Sequence, residues 1–352
     1  MIPANPWHTK TQTERNKTSY PYPIAPYKGG TPLQPWMTLA LTHRHERDND
    51  VHFDEPTHIY TIKGSSKGVI SCTKVVHACF PEFNPDEVIE KMMKSPNWPN
   101  SQYFGMTAAA IKAKWNASGR QASSSGTDMH LAIEMFLNGG EEAIAPAIKL
   151  TPEWKYFQKY WAVDSQKFEP WRTEWEIFDE DLKLAGQIDI VYRNKLDGTF
   201  AIYDWKRAKD MKMENDFETG LGPLSRMPNC NYSHYSLQLN LYRWFLQTHY
   251  NMSITELALV VLHPNQDDFR VYPVPMLDDI VEEVIESRRR AVREGRGRYL
   301  VFEGQEMSPA LSAPAPAATG AKGAKAKVKV KSKAPVKALP HEVCRIIESD
   351  ED

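Results

Sequence analysis

Apolar positions recur every three or four residues from about 85 to 164, then alternate from about 172 to 205. The first period predicts helices and the second predicts strands. Before both, residues 51–62 (VHFDEPTHIYTI) alternate well enough to predict a hairpin around Glu55-Pro56. Residues 85–94 (PDEVIEKMMK) predict a helix, with Asn84 as its cap and Pro85 at its first position. Residues 106–117 carry Ile111 and Trp115 on one helical face. Residues 127–138 (TDMHLAIEMFLN) predict a separate helix ending at Gly139-Gly140, and 152–164 a further one opened by Pro152. Three strands follow, at 172–178 (RTEWEIF), 183–193 (KLAGQIDIVYR) and 199–205 (TFAIYDW), the last two joined by a turn at 195–198. A helix is expected at about 233–249, strands at 257–263 and 269–274, and a charged amphipathic helix at 277–294. This order predicts an α/β protein: a mixed central β-sheet flanked by helices.

Composition changes this picture mainly at the two ends. The chain has 352 residues, 41% of them hydrophobic, with ten Trp and fifteen Tyr, enough to bury a sizeable core. No run approaches the ~18 apolar residues of a membrane span, and the N-terminus does not read as a secretory leader. Seven of the 25 Pro lie in residues 1–36. Residues 305–352 hold no aromatic residue and carry seven Lys between 322 and 337 before closing on ESDED. We therefore expect a Pro-rich N-terminal arm (1–50), a folded domain (51–304) and a disordered Lys-rich tail with an acidic end (305–352). The formal net charge is −2; the tail has eight Lys and Arg against six acids, which leaves the rest mildly acidic at 35 against 39. Any nucleic-acid affinity of the domain must then come from a local groove. Cys72, Cys79, Cys230 and Cys344 are widely spaced without a CxxC, which argues against a zinc ribbon or a disulfide framework and fits an intracellular, reducing compartment.

Charged residues on the predicted strands carry the candidate chemistry. Asp189 stands among Ile188, Ile190 and Val191, and Asp204 and Lys206 share one side of the next strand. If those strands pair, two carboxylates and an ammonium converge. Neighbouring carboxylates repel unless a cation neutralises them, so this is the composition of an oxygen-ligand Mg²⁺ or Mn²⁺ site with a Lys beside it. A surface hairpin with solvated charges is the competing reading. His130 and Glu134 share a helix face at i, i+4, as do Gln238 and Tyr242. Arg288, Arg289, Arg290 and Arg293 fit either a phosphate track or a solvated face paired with Glu282, Glu283 and Glu286. Tyr103, Phe104, Trp115, Tyr232, His234 and Tyr235 are core residues or base-stacking platforms, with Tyr232 and Tyr235 favoured for stacking because they flank the 233–249 helix.

Taken in order, GTDMHLAIE (126–134), TEWEIFDEDLKLAGQID (173–189), AIYDWKRAK (201–209) and YSLQLNLY (235–242) resemble the PD-(D/E)xK nuclease superfamily, and within it the RecB-like exonuclease branch. Mitochondrial genome maintenance exonucleases and nucleases of large DNA viruses and phages share this layout. The resemblance covers about residues 50–300 and implies a restriction-endonuclease-like core. It implies metal-assisted phosphodiester hydrolysis by a DNA exonuclease working from single-stranded ends, in repair, recombination or genome processing. In it, Asp189 and Asp204 hold Mg²⁺ or Mn²⁺, His130 adds a nitrogen and the Trp205 carbonyl an oxygen. Glu174, with Glu176 as competitor, is the early acidic residue. Lys206 orients or deprotonates water, and near carboxylates orientation is the safer role. Gln238 and Tyr242 meet the substrate. Some relatives hold an iron–sulfur cluster through four Cys; only three precede the tail here, in the wrong spacing, so no cluster is expected. A non-catalytic DNA-binding module on the same fold, or a chromatin-like protein acting through its tail, are the alternatives. The tail itself reads as a DNA contact, a nuclear address or a solubilising extension.

Overall fold

A computed structural model describes residues 37–295 and 299–302; residues 1–36, 296–298 and 303–352 lie outside it, and with them most of the expected arm and all of the expected tail. The helices are α1 (Thr38–Thr42), α2 (Cys72–Ala78), α3 (Pro85–Lys94), α4 (Ala108–Gly139), α5 (Pro146–Lys149), α6 (Pro152–Lys167), α7 (Asn231–His249) and α8 (Asp278–Glu294). The strands are β1 (Val51–Asp54), β2 (Ile59–Ile62), β3 (Ile70–Ser71), β4 (Phe168–Asp179), β5 (Leu184–Asn194), β6 (Phe200–Lys206), β7 (Ile254–Val261) and β8 (Arg270–Pro273). β1 and β2 form a hairpin of their own, Val51 opposite Ile62. The other six strands make one mixed sheet in the order β3-β5-β6-β7-β8, with β4 paired to the remaining edge of β5. Helices flank it, which is the α/β architecture expected.

The sheet separates two cores. On one side, Trp175, Ile188, Val191, Ile202 and Leu259 pack with Leu237, Leu241 and Phe245 of α7 and with Val284 and Ile285 of α8. On the other, Ile190, Tyr203, Trp205 and Val260 pack with Met129, Ala132 and Ile133 of α4 and with Trp154, Phe157 and Tyr160 of α6. At roughly 1.5–3 kcal/mol for each fully buried large apolar side chain, these two layers dominate the fold's stability.

Helix α4 departs from the sequence reading. Two helices were expected, at 106–117 and 127–138; the chain forms one helix of 32 residues through SGRQASSSGTD. Thr107 caps its start by accepting from the Ala110 N–H at 3.2 Å. Its interior has no Pro to remove a backbone donor, and Ser and Gly only weaken a helix. Anchoring at both ends decides the matter: Ile111 and Trp115 bury in a small cluster with Ile89 of α3, while Met129, Ala132 and Ile133 bury in the main layer. The sequence reading also passed over β3 and α2. Ser71 ends β3 and caps α2, accepting from the Lys74 N–H at 3.1 Å.

Residues 38–50, counted with the N-terminal arm, pack onto the domain. Asp48 accepts from Arg172 at 2.8 Å and from the Trp175 indole at 2.9 Å, and Arg47 donates to the Phe178 carbonyl at 2.8 Å. Arg172 is buried, so this pairing sits in a low dielectric where losing one partner is costly.

Arg288 corrects both readings of the arginine group. It is neither on a phosphate track nor on a solvated face but 3% exposed. Its guanidinium donates to the carbonyls of Leu182 (2.8 Å), Lys183 (3.2 Å), Gly68 (3.2 Å) and Tyr299 (3.3 Å). One side chain thus ties α8 to the β4–β5 turn, the approach to β3 and the segment at 299–302. Arg289 and Arg293 do pair with Glu286, at 2.6 and 2.7 Å. Arg288→Ala leaves four carbonyls without that donor and is expected to destabilise the protein by about 3 kcal/mol or more. Arg289→Ala, on the surface, should stay within about 0.5 kcal/mol. Denaturant midpoints of the two variants check this; equal midpoints would refute the clamp.

Candidate active site

The site lies where β5 changes partners. One edge of β5 runs along β4; on its other edge, Leu184 and Ala185 pair with β3, and residues 190–193 pair with β6. Among the described residues, no strand pairs with 186–189 on that side. The β5–β6 ladder ends at Ile190 opposite Tyr203, and one more step of the same register sets Asp189 opposite Asp204. In place of the next ladder bond, Asp189 Oδ2 accepts the Trp205 N–H at 2.8 Å. The sheet opens at this point because a side-chain carboxylate does the work of a backbone carbonyl.

On the other edge, Glu174 takes φ +43°, a left-handed conformation that a residue with a side chain adopts only under constraint. The alternation of sides along β4 breaks with it. Trp175 and Ile177 enter the α7–α8 core, whereas Thr173 accepts from Asn138 of α4 on the opposite side at 2.9 Å. This turn of the backbone separates the two early acidic candidates. Glu174 Oε1 stands 4.0 Å from His130 Nδ1. Glu176 instead accepts the Phe53 N–H of β1 at 3.1 Å, and burial pushes its carboxyl up to about 8.

His130 closes the group from α4. Its Nε2 lies 2.8 Å from the Trp205 carbonyl, which can only accept, so Nε2 carries the proton. Nδ1 then faces Asp189 Oδ2 at 3.6 Å and Glu174 Oε1 at 4.0 Å. A neutral imidazole would present a lone pair to two carboxylates. Three acceptors turned toward one another favour a cation among them, as a proton on Nδ1 or a metal ion. One donor atom from each of His130, Glu174 and Asp189 lies within 4.8 Å of the others. Two carboxylate oxygens and one imidazole nitrogen suit Mg²⁺ or, with the nitrogen, Mn²⁺.

Asp204 and Lys206 adjoin this trio without joining it. Asp204 is buried, and Lys206 Nζ lies 2.9 Å from its Oδ2 and 4.3 Å above the Tyr235 ring. Burial and the nearby Asp189 charge raise the Asp204 carboxyl to about 7, against the opposing pull of Lys206 and His130. The ammonium is thus held between a carboxylate and an aromatic face, a place suited to neutralising charge and orienting a bound group.

The remaining sequence candidates are more scattered. Gln238 of α7 donates to Tyr242 OH at 3.1 Å and to Thr73 Oγ1 at 3.2 Å. Tyr242 lies against the open stretch of β5: a Cβ added to Gly186 would meet its Cε1 at 2.6 Å. That close approach explains a glycine three residues before Asp189. Tyr235 is buried under Lys206, and Tyr232 donates to the Pro273 carbonyl at 2.7 Å. His234 stacks on Phe80 at 3.9 Å. Tyr103 and Trp115 are core residues of the small cluster, while Phe104 is 58% exposed. The sequence reading missed Thr73, whose only signal was a Ser-capped apolar run at 71–80.

The raised Asp204 carboxyl has a consequence for stability. A carboxyl whose folded value lies near 7 against 3.8 in the open chain holds its proton longer when folded, so folding loses stability as pH rises from about 4 to 7. Asp204→Asn should remove that loss and stabilise the metal-free protein at pH 8 by on the order of 2–4 kcal/mol. Melting in EDTA across pH 4–8 checks this: the wild type should fall relative to the variant, and Mn²⁺ should narrow the gap at pH 8. Parallel curves would refute the burial cost at Asp204.

No curated protein matches the chain. Among solved structures, that titled "Crystal structure of SSO0001" aligns with 65% of this chain and 77% of its own at 13% identity and a TM-score of 0.26, too low to carry an argument. Residues 149–299 match the model of the PD-(D/E)XK nuclease superfamily. That stretch contains Glu174, Asp189, Asp204, Lys206, Gln238 and Tyr242, while His130 precedes it. The match, over less than half of the chain, and a mixed sheet flanked by helices are both consistent with the PD-(D/E)XK nuclease superfamily.

Proposed function

We propose that this protein is a Mg²⁺- or Mn²⁺-dependent DNA exonuclease that cuts phosphodiester bonds from single-stranded ends, in repair, recombination or genome processing. Nuclease activity is what the superfamily match suggests. The observation that carries the reading is the approach of His130 Nδ1, Glu174 Oε1 and Asp189 Oδ2 beside the Asp204–Lys206 pair. The preferences for DNA, for ends and for single strands rest on the resemblance to RecB-like exonucleases.

Asp189, Glu174 and His130 would hold the cation, with Asp204 next to it. A divalent ion held by these residues would supply Lewis-acid polarisation of the scissile phosphate and a more acidic water. Asp189 has a second duty, because its Oδ2 also fixes the Trp205 N–H and so the position of Lys206 one residue on. The Trp205 carbonyl, proposed as an oxygen ligand, already accepts from His130. Its part is to orient the imidazole so that Nδ1 faces the carboxylates, as partners of ligating histidines do. Lys206 orients the attacking water or stabilises charge on the phosphate. Gln238 and Tyr242 meet the strand from α7. For Tyr232 and Tyr235 the reading as stacking platforms has less support, since one bonds Pro273 and the other lies beneath Lys206. Among the described residues no helix is long and apolar enough to cross a membrane. The Lys-rich segment 322–337 would add affinity for phosphates without regard to sequence.

End-labelled single- and double-stranded DNA, incubated with Mg²⁺, Mn²⁺ or EDTA, tests the proposal. Single strands should shorten progressively from an end, and EDTA should stop this. Asp189→Asn, Asp204→Asn and Lys206→Ala should each slow cleavage roughly a thousandfold or more. Substantial turnover by pure Asp204→Asn would sink the site. His130→Ala should lose more Mn²⁺-supported than Mg²⁺-supported activity, because nitrogen suits Mn²⁺ better. An unchanged ratio would make His130 structural.

Truncation after Gly304 should leave single-turnover cleavage at saturating enzyme nearly unchanged. It should flatten the salt dependence of binding by about 0.7 in log–log slope for each single-strand phosphate that the tail had neutralised. Identical salt slopes with and without the tail would remove its nucleic-acid role.

A further inference from the structure

Thr73 is absent from the motifs that the sequence offered, yet its hydroxyl lies 3.2 Å from the Gln238 amide nitrogen. The same nitrogen reaches Tyr242 OH at 3.1 Å. Two hydroxyls therefore take the donors of one amide, and Oε1 is the amide atom that neither of them engages. The Tyr242 ring is held in turn by the backbone of β5 at Gly186, where even a methyl group would collide with it. Thr73 belongs to α2, which starts where β3 ends, and β3 pairs with Leu184 and Ala185 at the edge of the open stretch of β5. Both anchors of the Gln238 amide thus come from elements that border residues 186–189. Without the Thr73 hydroxyl the amide keeps one anchor and is free to turn about its last side-chain bonds.

We propose that Thr73 is a positioning residue of the active site: with Tyr242 it clamps the Gln238 amide in one orientation toward the nucleic-acid strand. This inference rests on the nuclease reading above and adds a residue to its substrate-binding side. The hydroxyl is the functional part. The methyl group only fills space, so Thr73→Val, which keeps shape and removes the hydroxyl's hydrogen bonding, separates the two. Thr73→Ser does the converse.

The test is steady-state cleavage of an end-labelled single-stranded oligonucleotide by the full-length wild type, Thr73→Val and Thr73→Ser, with a thermal melt of each. Thr73→Val should raise KM about fivefold, the effect of removing one hydrogen bond, with kcat changed less than about twofold and the melting temperature nearly unchanged. Thr73→Ser should restore KM to within about twofold of wild type, since it keeps the hydrogen bond. A KM for Thr73→Val equal to that of an active wild type overturns the clamp alone. So does a Thr73→Ser protein as impaired as Thr73→Val, because the methyl group would then be what matters. A wild type that cuts no labelled DNA with either metal overturns the nuclease reading, and the role of Thr73 with it.

Discussion

The mutual repulsion of acidic groups at one break in a β-sheet is the constraint from which the rest of this structure follows. Asp189 and Asp204 sit on neighbouring strands, and Asp204 is buried where a charge is costly. Every adjacent element offsets that cost. β6 supplies the Lys206 ammonium and the Trp205 N–H, and α4 supplies an imidazole oriented by the Trp205 carbonyl. The sheet itself gives way, because β5 exchanges β3 for β6 across a four-residue gap. A fold selected only for stability would put apolar residues at positions 189 and 204, as it does at 188, 190 and 203. Keeping acids there makes sense where a cation is to be drawn in, because the ion then gains what the protein lacks without it.

Much of this was legible in the sequence because it depends on local pattern. The three long strands, the capped helix at 85–94 and the mixed α/β order follow from periods of 2 and 3.6 and from turn residues. Asp189, Asp204 and Lys206 could be brought together on alternation and one turn alone. What stayed hidden depends on tertiary contacts. Nothing in SGRQASSSGTD states that α4 continues through it; the two clusters that hold its ends decide that. β3 is two residues long and exists only because β5 offers it an edge. The choice between Glu174 and Glu176 turned on a left-handed backbone at Glu174, which puts two residues of equal parity to different uses. Arg288 looked like its neighbours because four carbonyl partners from distant segments leave no trace in a helical charge pattern.

The imidazole of the site has a separate origin from its carboxylates. Glu174, Asp189 and Asp204 lie on consecutive strands and fall into place when the sheet forms. His130 reaches them from a helix that precedes all three strands, across the sheet's α6 face. The stretch that matches the superfamily, 149–299, therefore carries an all-oxygen set of acids, and residues outside it contribute the nitrogen. The three candidate donors thus come from two parts of the chain.

Helix α4 can also be viewed as a lever. Thirty-two residues span about 48 Å, and His130 lies about 33 Å along the axis from the Ala108 end. A tilt of one degree about a pivot at the far end would carry His130 by roughly half an ångström, more than the ~0.2 Å tolerance of a metal–ligand distance. The residues that bury α4 in the main layer are Met129, Ala132 and Ile133, on the same turn as His130. Between residues 116 and 128 only Ser125 is buried. The contacts that fix this helix against the sheet are therefore those nearest His130. A shift of the cluster around Ile111 and Trp115 would move that end of the helix far more than the imidazole.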